Sequence, residues 1–453
     1  VSYRGSPKQR DNPAPARNHQ SGAEHPDPLR IGRIPIAFFV VAVLFFAGGL
    51  VELCFSVRQI AIYFYQFVPL AVVHTFTLGW ITGSIMGVMY RYVPALTHRP
   101  IRWPWMAWGQ LFLFVLGSTG MVAHFEIGIW FGLWLAAIVM AASILMFAAN
   151  LVPCLWPEAG RGVAETGMLL SISFLVAAAV LGTMLGIDKS YNFLGGGVLT
   201  NLSGHVHLAA VGWVTLSICA VSYRMLPAFM LPTVTIPRSA IWQIYALAAA
   251  LVGLTASVML GLGGELIWGL AIAAAMGWYV AIISRMVRTR RMPLDWTQIH
   301  ALAGLVALVA TIGMGLALIV FGVNSQPGAR LATAYGVIGL LGFFSNFIMG
   351  MSYQLFPGFV TRARQGLGWK PVTIAEISVR KPRPFVFVTF NGGVLAMAAG
   401  FGVGEFPVAL AGAIAAAVGG LVYCTAILWT LGFALRRALP RSAAQASLRV
   451  MPD

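Results

Sequence analysis

Apolar positions come in long unbroken runs, with no strand-like alternation of apolar and polar residues, and polar residues gather between the runs. Twelve runs begin near residues 33, 67, 102, 127, 166, 203, 240, 265, 299, 332, 384 and 407. A bilayer core takes about 20 consecutive apolar residues as helix. The pattern therefore predicts an all-α polytopic membrane protein with twelve transmembrane helices between about residues 33 and 435. Composition agrees, with 59% hydrophobic and 9% charged residues, outside the range of soluble domains. Residues 1–32 and 436–453 read as polar tails. The first is rich in proline and has no apolar core before Arg30, so it reads as a disordered tail and not as a cleavable signal peptide.

Net charge is +16, which could suggest a nucleic-acid partner, but its distribution says otherwise. Of the 29 Lys and Arg, 26 fall in the tails and in alternate loops, and only Arg58, Lys189 and Arg330 fall on the other side. This asymmetry is the positive-inside pattern, and it predicts that both termini are cytoplasmic. Runs such as "SRMVRTRR" read as topogenic charge. Cys54, Cys154, Cys219 and Cys424 are scattered, with no C-x-x-C or C-x-x-C-H. That argues against a disulfide framework, a thiolate cluster and covalent c-type heme.

The chain repeats. A shift of 133 residues aligns "HTFTLGWITGSIMGVMYRYVPA" (74–95) with "HLAAVGWVTLSICAVSYRMLPA" (207–228), with 11 of 22 positions identical. A further shift of 130 reaches "VIGLLGFFSNFIMGMSYQLFPG" (337–358), which keeps Gly342, Tyr353 and Pro357 but has Val337 in place of the histidine. The expectation is three copies of a four-helix unit, about 33–153, 166–288 and 299–435. Repeats in membrane proteins often place a site at their interface.

An intramembrane imidazole is costly without a partner. His74 and His207 are repeat-related and lie at matching depth, which suits the two axial nitrogens of a six-coordinate heme iron. Gly79 and Gly212 appear on a similar helix face, where they would let a flat porphyrin approach the backbone. His205 precedes His207 by two residues, about 200° of helical rotation, so one helix can serve two sites. His124, near Glu126, reads either as a second metal ligand or as a solvent-facing residue. His300 begins the ninth helix at the other side and is too deep to share the site, and His98 sits in a loop.

These residues resemble subunit I of the heme-copper oxidase superfamily. The stretch "GHVHLAAVGW" is specifically similar to the cbb3-type helix that binds both hemes. The resemblance implies His205 as high-spin ligand, and His207 and His74 as the two low-spin ligands. It also implies heme b, one or two, with copper as an option, and a bacterial inner membrane location. A periplasmic cytochrome c or cupredoxin-type electron partner, or other membrane subunits, would accompany it in the bilayer. The sequence departs from the family in three ways: the H-x-H lies on helix 6, no His-His pair is present, and no H-x-x-x-Y follows. "HTFTLGWITGSIMGVMYRYVPALTHRP" is more loosely similar to NnrS-type heme and copper membrane proteins of nitric oxide response.

The favoured expectation is a b-type heme-binding redox protein for respiratory electron transfer or nitric oxide and oxygen chemistry, with enzymatic activity left open. The alternatives are a metal or small-solute transporter using the same histidines, and a cofactor-free anchor subunit. Carboxylates sit in loops or near the outer ends of spans, among them Glu52, Glu126, Glu265 and Glu405, so the sequence shows no proton path through the inner half.

Overall fold

The computed structural model describes residues 32–195 and 197–436. Both predicted tails lie almost wholly outside these residues. Twelve helices are long and apolar enough to cross a membrane. The first four are α1 (Arg33–Ile62), α2 (Phe67–Thr97), α3 (Pro104–Glu126) and α4 (Leu133–Glu158). Next come α5 (Val163–Tyr191), α6 (Val198–Met230), α7 (Ala240–Leu260) and α8 (Glu265–Arg288). The last are α9 (Trp296–Phe321), α10 (Gln326–Gly366), α11 (Arg383–Val403) and α12 (Phe406–Gly432). No strand occurs among the described residues; one isolated bridge joins Ala159 and Gly162. The protein is thus an all-helical, polytopic membrane protein.

Helix boundaries follow local chemistry. The fourth helix starts at Leu133 rather than near residue 127 because Gly128 and Gly132 adopt φ of +70° and +85°, which breaks the chain after α3. Pro104 opens α3 at the first helical position, where its missing N–H costs nothing. Asp295 caps α9 by accepting from the Thr297 and Gln298 amides, and Gln298 completes the box.

Consecutive helices pack in turn, and the pairs α4 with α5, α8 with α9 and α12 with α1 close the bundle on itself. In α11 and α12 the helices approach so closely that a Cβ on Gly393, Gly400 or Gly412 would strike the backbone of Ala416, Ala409 or Met397. Dispersion at such small-residue contacts replaces the hydrophobic drive that lipid cannot supply. For orientation, the side that carries the arginine-rich loops is called the basic face.

The interior of α2, α6 and α10 is not regular α-helix. Each contains an eight-residue π segment, at Thr75–Thr82, Leu208–Thr215 and Ile338–Ser345. These are 133 and 130 residues apart, the offsets at which the sequence aligns. Wide turns leave side-chain hydroxyls to reach back five residues: Thr215 donates to the Ala210 carbonyl and Ser345 to the Leu340 carbonyl, both at 2.9 Å. Pi segments inside α-helices are often found at functional sites.

The same segments tie the three helices together. Trp213 of α6 donates its indole N–H to Thr82 of α2 at 3.0 Å, and Trp80 of α2 donates to Ser345 of α10 at 3.1 Å. The corresponding position in α10 is Phe343, which has no donor, so the third link is missing. Both tryptophans are buried, and buried indoles need such partners.

Candidate functional site

A cavity of about 760 Å³ runs between α2, α6 and α10 and takes in residues of every helix from α1 to α10. Its walls are mainly apolar, and His74, His205 and His207 all line it. Such volumes, roughly 300–1,000 Å³, are typical of cofactor and small-molecule sites.

The three imidazoles share one arrangement. His74 Nδ1 lies 2.7 Å from the Leu70 carbonyl and His207 Nδ1 2.7 Å from the Ser203 carbonyl, each one helical turn back. His205 Nδ1 lies 3.0 Å from the Ala178 carbonyl on α5. A carbonyl only accepts, so Nδ1 must carry the proton in each ring and Nε2 the lone pair. That is the tautomer in which a second-sphere carbonyl orients a histidine toward a metal. None of the three Nε2 atoms has a protein hydrogen-bond partner among the described residues.

Helical phase decides which histidines look at one another. Trp213 faces α2, because it bonds Thr82. His207 lies six residues before Trp213, about half a turn out of phase at 100° per residue or slightly less, so it faces away from α2. His205, two residues earlier, returns to the side of Trp213. By the same count His74 stands opposite Trp80, which faces α10. The structure places His74, His205 and His207, the three residues singled out in the sequence, on the wall of one cavity.

His205 is seated by α5, where a Cβ on Gly182 would come within 2.7 Å of its Cε1. His74 packs on Phe125, with ring centroids 4.8 Å apart. Thr311 of α9 and Tyr335 and Val337 of α10 also line the cavity. Val337 occupies the position of the histidine missing from the third repeat.

Gly79 and Gly212 do not serve as expected. A Cβ on Gly79 would overlap the Phe45 side chain of α1, and one on Gly212 would meet Phe174 of α5 at 2.6 Å. Gly342 matches them, against Ala307 of α9 at 3.1 Å. These glycines let each second helix pack on the first helix of its own repeat, and no space is left there for a ring system.

Two features were not anticipated. The Lys189 ammonium sits 5.0 Å from both the Tyr65 and Trp130 rings, and all three residues line the cavity. It places a cation, held by aromatic faces, at the end of the cavity away from the basic face. Thr75, next to His74, donates to Glu52 at 3.0 Å, so one of the outer carboxylates abuts the histidine-bearing segment. Neither could be foreseen from spacing, since the partners are far apart in sequence. His124 does not line the cavity, and its Nδ1 is bonded to the Gly120 carbonyl at 2.7 Å.

Among the described residues no group of three or more His, Cys, Asp or Glu side chains could hold one metal ion. No protein-family model matches the chain, and no curated protein sequence does.

Proposed function

We propose that the chain is a heme-binding membrane redox protein, in which the Nε2 atoms of His74 and His205 would hold a b-type heme between α2 and α6. This exchanges the roles that the oxidase resemblance gives His205 and His207. One observation carries the reading: imidazoles on two neighbouring helices, each with Nδ1 tied to a backbone carbonyl, have Nε2 free and line one apolar cavity. When bound, the heme supplies a one-electron couple.

The other residues have definable tasks. The Leu70 and Ala178 carbonyls hold the two rings in the ligating tautomer. Apolar walls exclude water and strengthen every charge interaction inside. Lys189, fixed over Tyr65 and Trp130, offers a positive charge to the carboxylates of a porphyrin edge. The same edge would face an electron partner of the cytochrome c or cupredoxin kind. His207, on the wall of the same cavity, would be free to hold a second metal or heme, which would supply any gas chemistry.

The test is the absorption spectrum of the purified, full-length protein, oxidised and dithionite-reduced. A Soret band that sharpens and an α band that appears on reduction support heme; a colourless protein purified from heme-replete cells contradicts it.

A further inference from the structure

Of the imidazoles not given to the proposed heme, His300 lies away from the cavity, where its Nδ1 is 2.8 Å from Asn346 Oδ1 and Asn346 in turn bonds Asn391. His207 is on the cavity wall, and it has polar neighbours that the heme does not use. Thr311 of α9 and Tyr335 of α10 line the same cavity. His207 and Tyr335 each stand nine residues after the first residue of their helix, and Thr311 stands ten residues before the last of α9. At a rise of about 1.5 Å per residue, all three are roughly 14 Å from the helix ends opposite the basic face. Three helices thus bring one polar group each to one depth of an apolar cavity.

The seam between α9 and α10 fixes two of these groups. A Cβ on Gly315 would lie 3.4 Å from Tyr335 Cε2, and one on Gly339 would lie 3.6 Å from Thr311 Cγ2. Gly315 is one turn from Thr311 and Gly339 one turn from Tyr335, so the two side chains lie along one seam, a turn apart. Sequence offsets associate His207 with them. The 133- and 130-residue offsets that relate the π segments carry His74 to His207 and His205 to Tyr335. The pair on α2 and α6 therefore has its counterpart on α6 and α10, with a phenol in place of the second imidazole. The next step, from α10 to α2, gives Val337 and Val72, which carry no polar group.

What these groups can bind follows from where their protons are. His207 Nδ1 lies 2.7 Å from the Ser203 carbonyl, so Nε2 can only accept. Thr311 donates its proton to the Ala307 carbonyl at 2.8 Å, which leaves its oxygen as an acceptor. The Tyr335 hydroxyl can accept or donate. Two acceptors and one group of either kind select a ligand that donates twice. Its body must be apolar, to match walls such as Leu308, Ile312 and Phe344. We propose that His207, Thr311 and Tyr335 bind the headgroup of a hydroquinone, a flat ring with an O–H at each end, whose tail lies along the apolar walls. One hydroxyl donates to His207 Nε2 and the other to Thr311, and Tyr335 donates to a ligand oxygen. The hydroxyl on His207 takes the lone pair that a second metal or heme would need, so the two occupants exclude each other. The site does not depend on the heme between α2 and α6, and a colourless protein would leave it standing.

The experiment is equilibrium uptake of a tritiated, short-tailed hydroquinone, kept reduced with dithionite, by nanodiscs of synthetic phosphatidylcholine that carry the full-length chain. Empty nanodiscs give the partition background. Saturable uptake near one equivalent per chain is expected. The same ring with both hydroxyls methylated should bind at least about tenfold more weakly, because it leaves buried acceptors unpaired. Thr311→Val, Tyr335→Phe and His207→Leu should each weaken binding about tenfold, the worth of one hydrogen bond. Thr425→Val, at an exposed position of α12, should bind as the wild type does. Uptake no greater than that of empty nanodiscs, equal binding of the methylated ring, or affinity unaltered in Thr311→Val and Tyr335→Phe overturns the proposal. Heme content of the same samples keeps the two assignments apart: hydroquinone bound by a colourless protein contradicts the heme alone, and heme without saturable uptake contradicts this site alone.

Discussion

Trp213 on α6 donates its indole N–H to Thr82 on α2 across 3.0 Å, joining two π segments that lie 133 residues apart. This bond fixes the rotation of α6 relative to α2. By helical phase it sets His205 on the side of α6 that carries Trp213 and His207 on the opposite side. A local backbone irregularity, repeated at matched positions, thus sets the geometry of the site.

Removing that bond is expected to loosen the helix pair. Trp213→Phe and Thr82→Val should each lower stability by about 1 kcal/mol, the net worth of a buried neutral hydrogen bond. Because the two residues serve one contact, the double variant should cost less than the sum. Thermal unfolding in a fixed detergent measures the cycle; full additivity would mean that the contact contributes nothing.

Gly182 gives a test of how His205 is seated. A methyl at this position would sit 2.7 Å from the imidazole Cε1, so Gly182→Ala must displace the ring or the helix. Cofactor content is expected to fall while the thermal midpoint stays close to that of the wild type. Gly212→Ala, which meets Phe174 at 2.6 Å two turns away from His205 along the same contact with α5, should do the reverse and lower the midpoint first. Heme per protein and unfolding temperature, measured on both variants, separate the two effects.

The tight pair α11 and α12 should respond strongly to added volume. Gly393→Leu drives a branched side chain into the backbone of Ala416, and overpacking of this kind costs about 1–3 kcal/mol or more. The expected result is a lower yield of folded protein and a lower thermal midpoint. Gly392→Leu, one residue away with open space beside it, should be tolerated.

Lys189 is expected to matter for retention and not for ligation. Lys189→Ala should speed heme loss to an acceptor protein by roughly tenfold, if one partly buried charge-assisted contact is worth about 1.5 kcal/mol. The wavelengths of the bound cofactor should stay unchanged, since no axial ligand is touched. A shifted spectrum would place Lys189 closer to the iron than its position at the cavity end allows.

Much of this architecture was legible in the sequence, for a physical reason. Twelve apolar runs declare twelve helices because lipid demands that backbone groups bond within their own segment. The π segments fall on the 133- and 130-residue offsets at which the sequence aligns with itself. The π turns themselves were not, since bonding to the fifth residue back has no composition signature and shifts helical phase by tens of degrees. That shift and the Trp213 contact set which way His205 and His207 face relative to α2, and neither is legible from spacing. Gly79 and Gly212 misled because a glycine that admits a neighbouring Phe looks the same in sequence as one that admits a ligand. His300, Asn346 and Asn391 lie about 45 residues apart along the chain, so their cluster and the polar inner half it forms could not be anticipated.

The most direct test of the central claim is the reduced-minus-oxidised spectrum and heme content of the full-length protein beside His74→Ala, His205→Ala and His207→Ala. With axial ligation by His74 and His205, the low-spin α band should disappear in the first two variants and persist in the third. Loss of the band in His74→Ala and His207→Ala, with His205→Ala retaining it, would contradict the pairing, and absence of heme in the wild type would contradict the function.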